Sequence, residues 1–191
     1  PASNSPAIDR IPAGTASYCD GTPDQRGQAR PVGAACDAGS VEGSVAPIES
    51  LHLTVDDASD AVDATPGDGV CASTAGTCTL RAAVMEANRF NDDAPAVADF
   101  IAIAPGVNPV LSIPGAGEDA SATGDLDVLN ALVIDGDGAT IDGGGLDRVF
   151  QVVDHTATLR DLTVTGGSAS GTGAAGNGGG ILAPSLQLER A

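Results

Sequence analysis

Residues 67–88 read GDGVCASTAGTCTLRAAVMEAN, and this stretch decides how the rest of the chain is understood. Leu80, Ala83, Val84 and Ala87 recur at helical spacing and form one apolar stripe, so a helix is expected over 79–90. Thr79 stands where an N-cap side chain would accept a free amide of the first turn. The periodicity stops between Asn88 and Asn91. Arg81 and Glu86 fall off the stripe and are expected to face outward or to bond the loop beside them. No other stretch has this period, so the helix is expected to act as a lid on something built from strands.

Composition says what those strands can bury. Of 191 residues, 42% are apolar but only 2% aromatic, so the core must be Val, Ile, Leu and Ala. Such side chains suit thin, regularly stacked layers. The 26 glycines show no Gly-X-Y period, which excludes collagen. Net charge is −18, with 26 acidic residues against eight basic ones, all of them Arg. Phosphate binding needs a basic surface, so nucleic acid is excluded as a partner and anionic membrane is disfavoured. No stretch reads as a signal peptide, no apolar run is long enough for membrane insertion, and the chain begins at Pro1 rather than Met, as expected of a mature or excised piece.

Four cysteines fall into two local pairs, Cys19/Cys36 and Cys71/Cys78, neither with CxxC spacing. Two disulfides are expected, and with them an oxidising setting: secreted, extracellular or at the cell surface. Zinc is the lesser reading, because both histidines, His52 and His155, are remote in sequence from the cysteines.

Taken in order, residues 1–50 are rich in turn-forming Gly, Pro and Asp, with short strands expected only at 6–11 and 40–45. Their cysteine pair makes this a stapled closing or joining segment rather than a loose tail. Residues 51–98 hold a strand at 51–55, an acidic run whose Asp spacing lacks the Gly and Glu positions of an EF-hand, and the helix. From 99 to 191 short β-type runs alternate with Gly/Asp turns, at 100–103, 110–113, 126–128, 132–134, 139–141, 149–153, 159–165, 180–182 and 186–188. ATIDGGG at 139–145 lies over LTVTGGS at 162–168, an offset in the range of stacked repeats. Two-residue hairpin turns are rare. The expectation is an all-β fold, a right-handed parallel β-helix or solenoid, with a short capping helix.

TPGDGVC, GTCTLRAAVMEAN, IDGDGATIDGGGLDRVF and LRDLTVTGG together resemble the CSLREA domain. Here its motif reads Cys78-Thr79-Leu80-Arg81-Ala82-Ala83, with Thr for Ser and Ala for Glu. Residues 5–42, ending Cys36-Asp37-Ala38-Gly39-Ser40-Val41-Glu42, resemble the segment that closes such β-helices, the choice-of-anchor type. Both resemblances imply secretion and a right-handed parallel β-helix, and neither implies a catalytic activity. The closing segment stands first and the opening cap second. Joined end to start, SLQLERA-PASNSPAIDRIP reads as one module. That order predicts one repeat of a head-to-tail fibre or surface array, with residues 1–48 closing the strands that end at Leu188 of a neighbouring copy. A segment cut from a giant surface protein is the alternative.

β-helical lyases and hydrolases use clustered Asp with a basic partner. The candidates here are Asp135, Asp137 and Asp142, with Arg148 or Arg160 nearby. Asp135 and Asp137 flank a glycine in what reads as a turn, where Asp serves local hydrogen bonding. No Ser/His/Asp set or phosphate loop occurs, so catalysis is not expected; a polysaccharide-binding or -cleaving β-helix is the alternative. Ice binding would need ranks of Thr, and only Thr163 and Thr165 suggest one. No cofactor is expected. Calcium is the one metal the Asp-rich turns admit, as a stabiliser with Asp135, Asp137 and Asp142 as candidate ligands. Expected partners are other copies of the chain, and glycans or the cell surface.

Overall fold

A computed structural model describes residues 10–12, 19, 23–27, 29–31, 35–38, 50–90, 97–169 and 179–190. The chain divides into two compact units, Pro1–Glu49 and Ser50–Ala191. In the first, β1 (Ile11–Pro12) pairs antiparallel with β2 (Ala35–Cys36). The Cys19–Cys36 disulfide is buried against this ribbon, with the Cys19 sulfur 3.7 Å from the Ile11 carbonyl. The strand expected at 40–45 lies outside the described residues, as does most of the one at 6–11.

The second unit is built from parallel strands. β3 (His52–Val55), β4 (Asp99–Ile103), β6 (Leu132–Asp142), β8 (Ala157–Thr165) and β10 (Leu186–Glu189) form one five-stranded sheet, ordered β10-β8-β6-β4-β3. β5 (Leu126–Val128), β7 (Phe150–Val152) and β9 (Ile181–Leu182) form a three-stranded one. From β4 onward the chain visits the two sheets alternately. Because strand side chains alternate, Ile101, Ile134, Ile141 and Leu159 of the large sheet point to one side. They share a single apolar cluster with Leu126, Val128, Phe150 and Val152 of the small one. ATIDGGG and LTVTGGS are hydrogen-bonded neighbours: Ala139 pairs with Leu162, Thr140 with Thr163, Ile141 with Val164 and Asp142 with Thr165.

The expected all-β, right-handed parallel β-helix is corrected here. The fold is mostly β and the two sheets of the second unit are parallel, but neither closes or coils into a solenoid. The segments that join the two sheets carry only isolated parallel bridges, Asp57 to Thr79 and Val110 to Asp142, in place of continuous ladders. The run at 110–113, expected as a strand, gives only one bridge, Val110 to Asp142. Its amides at Ser112 and Ile113 bond instead to the Asp60 carboxylate, at 2.7 and 2.9 Å. β6 itself is interrupted by a register shift against β8 between Asp135 and Ala139. There Asp137 (φ 48°) and Asp161 (φ 49°) are left-handed, and a β-carbon on Gly136 would collide with Leu162.

α1 (Leu80–Phe90) packs on β3, β4 and β5. The Thr79 hydroxyl accepts the Ala82 amide at 3.1 Å, an N-cap bond, and the Cys71–Cys78 disulfide precedes it. Leu80, Ala83, Val84 and Ala87 are buried in the common cluster. Arg81 and Glu86 are buried as well; of the two fates expected for them, facing outward or bonding the loop beside them, it is the second that holds. Glu86 accepts the amides of Gly67, at 2.6 Å, and Gly69. Arg81 grips Asp60 through Nε (2.6 Å) and Nη2 (3.1 Å) and donates to the carbonyls of Ser121, Gly124 and Asp125. Removing one member of a buried ion pair strands the other charge, at a cost of about 3–5 kcal/mol, whereas replacing both by apolar groups is often neutral. Arg81→Met is therefore expected to lower unfolding stability in urea by that amount, and Arg81→Met with Asp60→Leu to recover only the part owed to the stranded carboxylate, because the Ser112 and Ile113 amides and three carbonyls still lack their partners. Equal losses in the single and double variants would contradict this account of the helix anchor.

Candidate functional site

Strand alternation places Asp127 of β5, Gln151 of β7 and Leu182 of β9 side by side on the small sheet's outer face, since Leu126, Phe150 and their neighbours occupy the inner one. Residues 114–125 fold over the Asp127 end of this row. Beyond them the face is open, forming a cleft of about 770 Å³. Its walls include Ala116 and Gly117 from the folded-over segment, Asp147, Arg148 and Gln151, and Leu182 with Pro184. Gln151 donates to the Asp119 carboxylate at 3.0 Å, tying the cleft floor to its wall. The Arg148 guanidinium lies 3.5 Å from Asp125 and 3.6 Å from Asp147.

Under the covering segment the charge is unbalanced. Asp127 is 0% exposed; its Oδ2 accepts the Ser121 amide at 3.0 Å, while its Oδ1 has no hydrogen-bond partner. Burial pushes the Asp127 carboxyl up to about 7; the Ser121 amide opposes this, and the charges of Asp125, Glu118 and Asp119 add to it. Asp125 is also raised, by burial and then by Asp147, with Arg148 opposing. Glu86 is raised by burial, against the pull of its two amide bonds. Asp57, half-buried and bonded to the Ser59 amide and Thr77, is lowered.

The residues singled out in the sequence lie elsewhere and do not converge. Asp135 is in β6 beside Arg160 of β8, and Arg160 reaches the next strand to pair with Glu189 at 2.9 Å. Asp137 is exposed in the left-handed bend, and Asp142 accepts the Gly144 amide at the end of β6. Among the described residues no three His, Cys, Asp or Glu side chains are grouped as metal ligands, so Asp135, Asp137 and Asp142 do not make a calcium site together. His52 meets only the Phe100 ring among aromatic contacts, and His155 bonds the Leu129 carbonyl at 3.1 Å. Thr163 and Thr165 sit at the end of β8, paired to Thr140 and Asp142. Of the cleft, only Arg148 was visible in the sequence. Asp127 stood in plain alternation within LDV, but what covers it comes from residues 114–125 and cannot be read from β5.

Compared with models of protein families, with curated proteins and with solved structures, the chain matches none.

Three carboxyls here hold their protons more tightly in the folded chain than in the unfolded one. Each contributes stability that is complete below the ordinary carboxylate range of about 4 and is lost as pH rises through its folded value. Asp57 acts oppositely, and only in acid. Unfolding stability in urea is therefore expected to fall between about pH 4.5 and 7.5 and then flatten. A profile that is level or rises over that interval would contradict the assignment.

Proposed function

We propose that this chain is a structural module working outside the cytoplasm, joined in series to copies of itself, rather than an enzyme. One observation carries the reading: the two ends of the Ser50–Ala191 unit differ. At one end α1 packs over β3, β4 and β5. At the other, among the described residues, β9 and β10 each pair on one side only, with Ile181 and Leu186 half-buried and Leu188 56% exposed. An open edge bearing apolar side chains is a template for a further strand. The stapled segment of residues 1–48 is the proposed occupant of that edge in a neighbouring copy, the order to which the choice-of-anchor resemblance also points. The two disulfides are compatible with an extracellular protein.

Light scattering and electron microscopy over a range of concentrations test the assembly. The intact chain should form larger species as concentration rises, and Leu188→Lys, which charges the edge, should shift them toward monomer without changing the melting temperature. A strictly monodisperse monomer throughout would end the proposal.

The cleft favours a second reading, a surface that binds or cleaves polysaccharide, because Asp147, Arg148 and Gln151 line an open groove. Incubation with acidic and neutral polysaccharides should then release reducing or unsaturated sugars, or retard the chain in affinity electrophoresis, with loss in Gln151→Ala. No release and no retardation with any polysaccharide would remove it.

A further inference from the structure

The segment of residues 114–125 has space on both sides. Ala116 and Gly117 border the 770 Å³ cleft, while Asp119, Ala120 and Ala122 border a second cavity of about 200 Å³ shared with Met85, Asn88 and Arg89 of α1. Between these spaces it is pinned at few points. Gly124 donates to the Ile113 carbonyl at 2.9 Å, and Arg81 holds the carbonyls of Ser121, Gly124 and Asp125. Gln151 holds it through Asp119 at 3.0 Å, and Arg148 lies 3.5 Å from Asp125. A further pin is Ser121, fully buried with φ 56°. Its amide donates to Asp127 Oδ2, its hydroxyl donates to the Asp127 carbonyl at 2.9 Å, and the same hydroxyl oxygen accepts the Asp127 amide at 2.7 Å. Asp127 therefore sits under the segment as a latch, with one oxygen engaged and the other left without a partner.

We propose that residues 114–125 are a proton-operated flap: it is held shut over the small sheet while Asp127 carries its proton, and is released as Asp127 ionises, so that the cleft it walls widens.

Every element packed around Asp127 leaves its negative charge uncompensated. From its own strand comes Asp125, and from the flap Glu118 and Asp119. The 143–149 segment brings Asp147 with Arg148, and that guanidinium lies between Asp147 and Asp125. From α1, Arg81 is taken by Asp60 and the flap carbonyls, Arg89 lines the second cavity, and Glu86 is turned to the Gly67 and Gly69 amides. β7 offers only the neutral Gln151, which bonds Asp119. His155, next to Asp154, bonds the Leu129 carbonyl beyond the end of β5. A buried neutral carboxyl with an unpartnered oxygen is tolerable, but a buried carboxylate in this company is not. Burial and these charges bring Asp127 up to about 7, so opening the flap, which returns it to water, releases a proton.

Hydrogen exchange and carbon-13 carboxyl NMR of the intact chain test the flap. After correction for intrinsic rates, amides of residues 117–124 are expected to lose about tenfold in protection per pH unit from roughly pH 4.5 to 7 and then level off. Amides of β6 and β8 should not follow. Asp127→Asn keeps an acceptor for Ser121 and cannot ionise, so its flap should stay as protected at pH 8 as the unaltered chain is at pH 5. Histidines as a class also change charge between about pH 5 and 8, so His155→Asn is the control, and it should keep the full pH dependence. The proposal is overturned by flat flap protection in the unaltered chain, or by pH dependence that survives Asp127→Asn or vanishes in His155→Asn. If Asp127→Asn does not fold, the carboxyl resonance of the unaltered chain decides. Titration near 7 in step with flap exchange supports the latch, and titration near 4 overturns it.

Discussion

One buried guanidinium holds the Ser50–Ala191 unit in register. Arg81 leaves the first turn of α1 and meets, within hydrogen-bond distance, a carboxylate from the 56–79 segment and three carbonyls of the flap. Only a planar, permanently charged group with five donors can serve these acceptors at once; Lys would serve fewer and without the fork geometry. Asp60 passes the constraint on, since its Oδ2 also takes the Ser112 and Ile113 amides. Helix, acidic segment, the 110–113 run and flap are thus fixed relative to one another around one charge pair with no exposed side-chain surface. Such a pair adds little net stability over an apolar replacement. What it supplies is a single allowed arrangement of loops that have almost no apolar side chains with which to specify themselves.

The same logic explains the acidic composition. Carboxylates repeatedly end or brace a stretch of backbone that has no strand partner: Asp99 on the Leu51 amide, Asp63 on Thr65 and Ala72, Asp56 on Cys78, Glu86 on Gly67 and Gly69, Glu118 on Ala120 and Thr123. A short acidic side chain accepts two amides and so closes a loop where a ladder is missing. Asp-richness in this chain is first a way of building loops. A cation-binding reading of the same residues has no grouping of ligands behind it among the described residues.

How much of this was legible follows from range. The helix stripe, its Thr79 cap, the cysteine pairs and most strand positions are local, and periodicity or spacing carries them. The 139–145 and 162–168 stretches show their pairing because both ladders use the same residue pattern. That Arg81 and Glu86 bond neighbouring loops was among the expectations, but their individual partners were not legible, because Asp60, Gly67, Gly69 and the carbonyls of residues 121–125 lie in segments without periodicity. β5 shows the same limit: LDV announces that Asp127 leaves the core, but not that Ser121 will cover it. The solenoid expectation failed for a related reason. An apolar run need not be a ladder: Val110 and Leu111 donate to the Ala58 and Asp142 carbonyls, but Ser112 and Ile113 spend their amides on the Asp60 side chain. The resemblance to the CSLREA domain remains one of motif residues, chiefly Cys78 to Ala83, and two of those depart from its consensus.

The two features with functional weight, the open sheet edge and the outer cleft, are not independent. Leu182 belongs to β9, the exposed edge of the small sheet, and also lines the cleft through its place in the Asp127–Gln151–Leu182 row. A strand added beside β9 would extend that row by one residue in register, because parallel pairing keeps outward positions adjacent. The cleft floor would then lengthen into a groove running across the copies, and Pro184, now a wall at its end, would face the incoming strand. Assembly in series, as proposed, would thereby change the shape of the surface on which any glycan would lie. The flap stands at the opposite end of the row, over β5, where no strand can add because α1 packs there. The two ends of one row are thus governed by different chemistry, a proton at Asp127 and backbone pairing at Leu182.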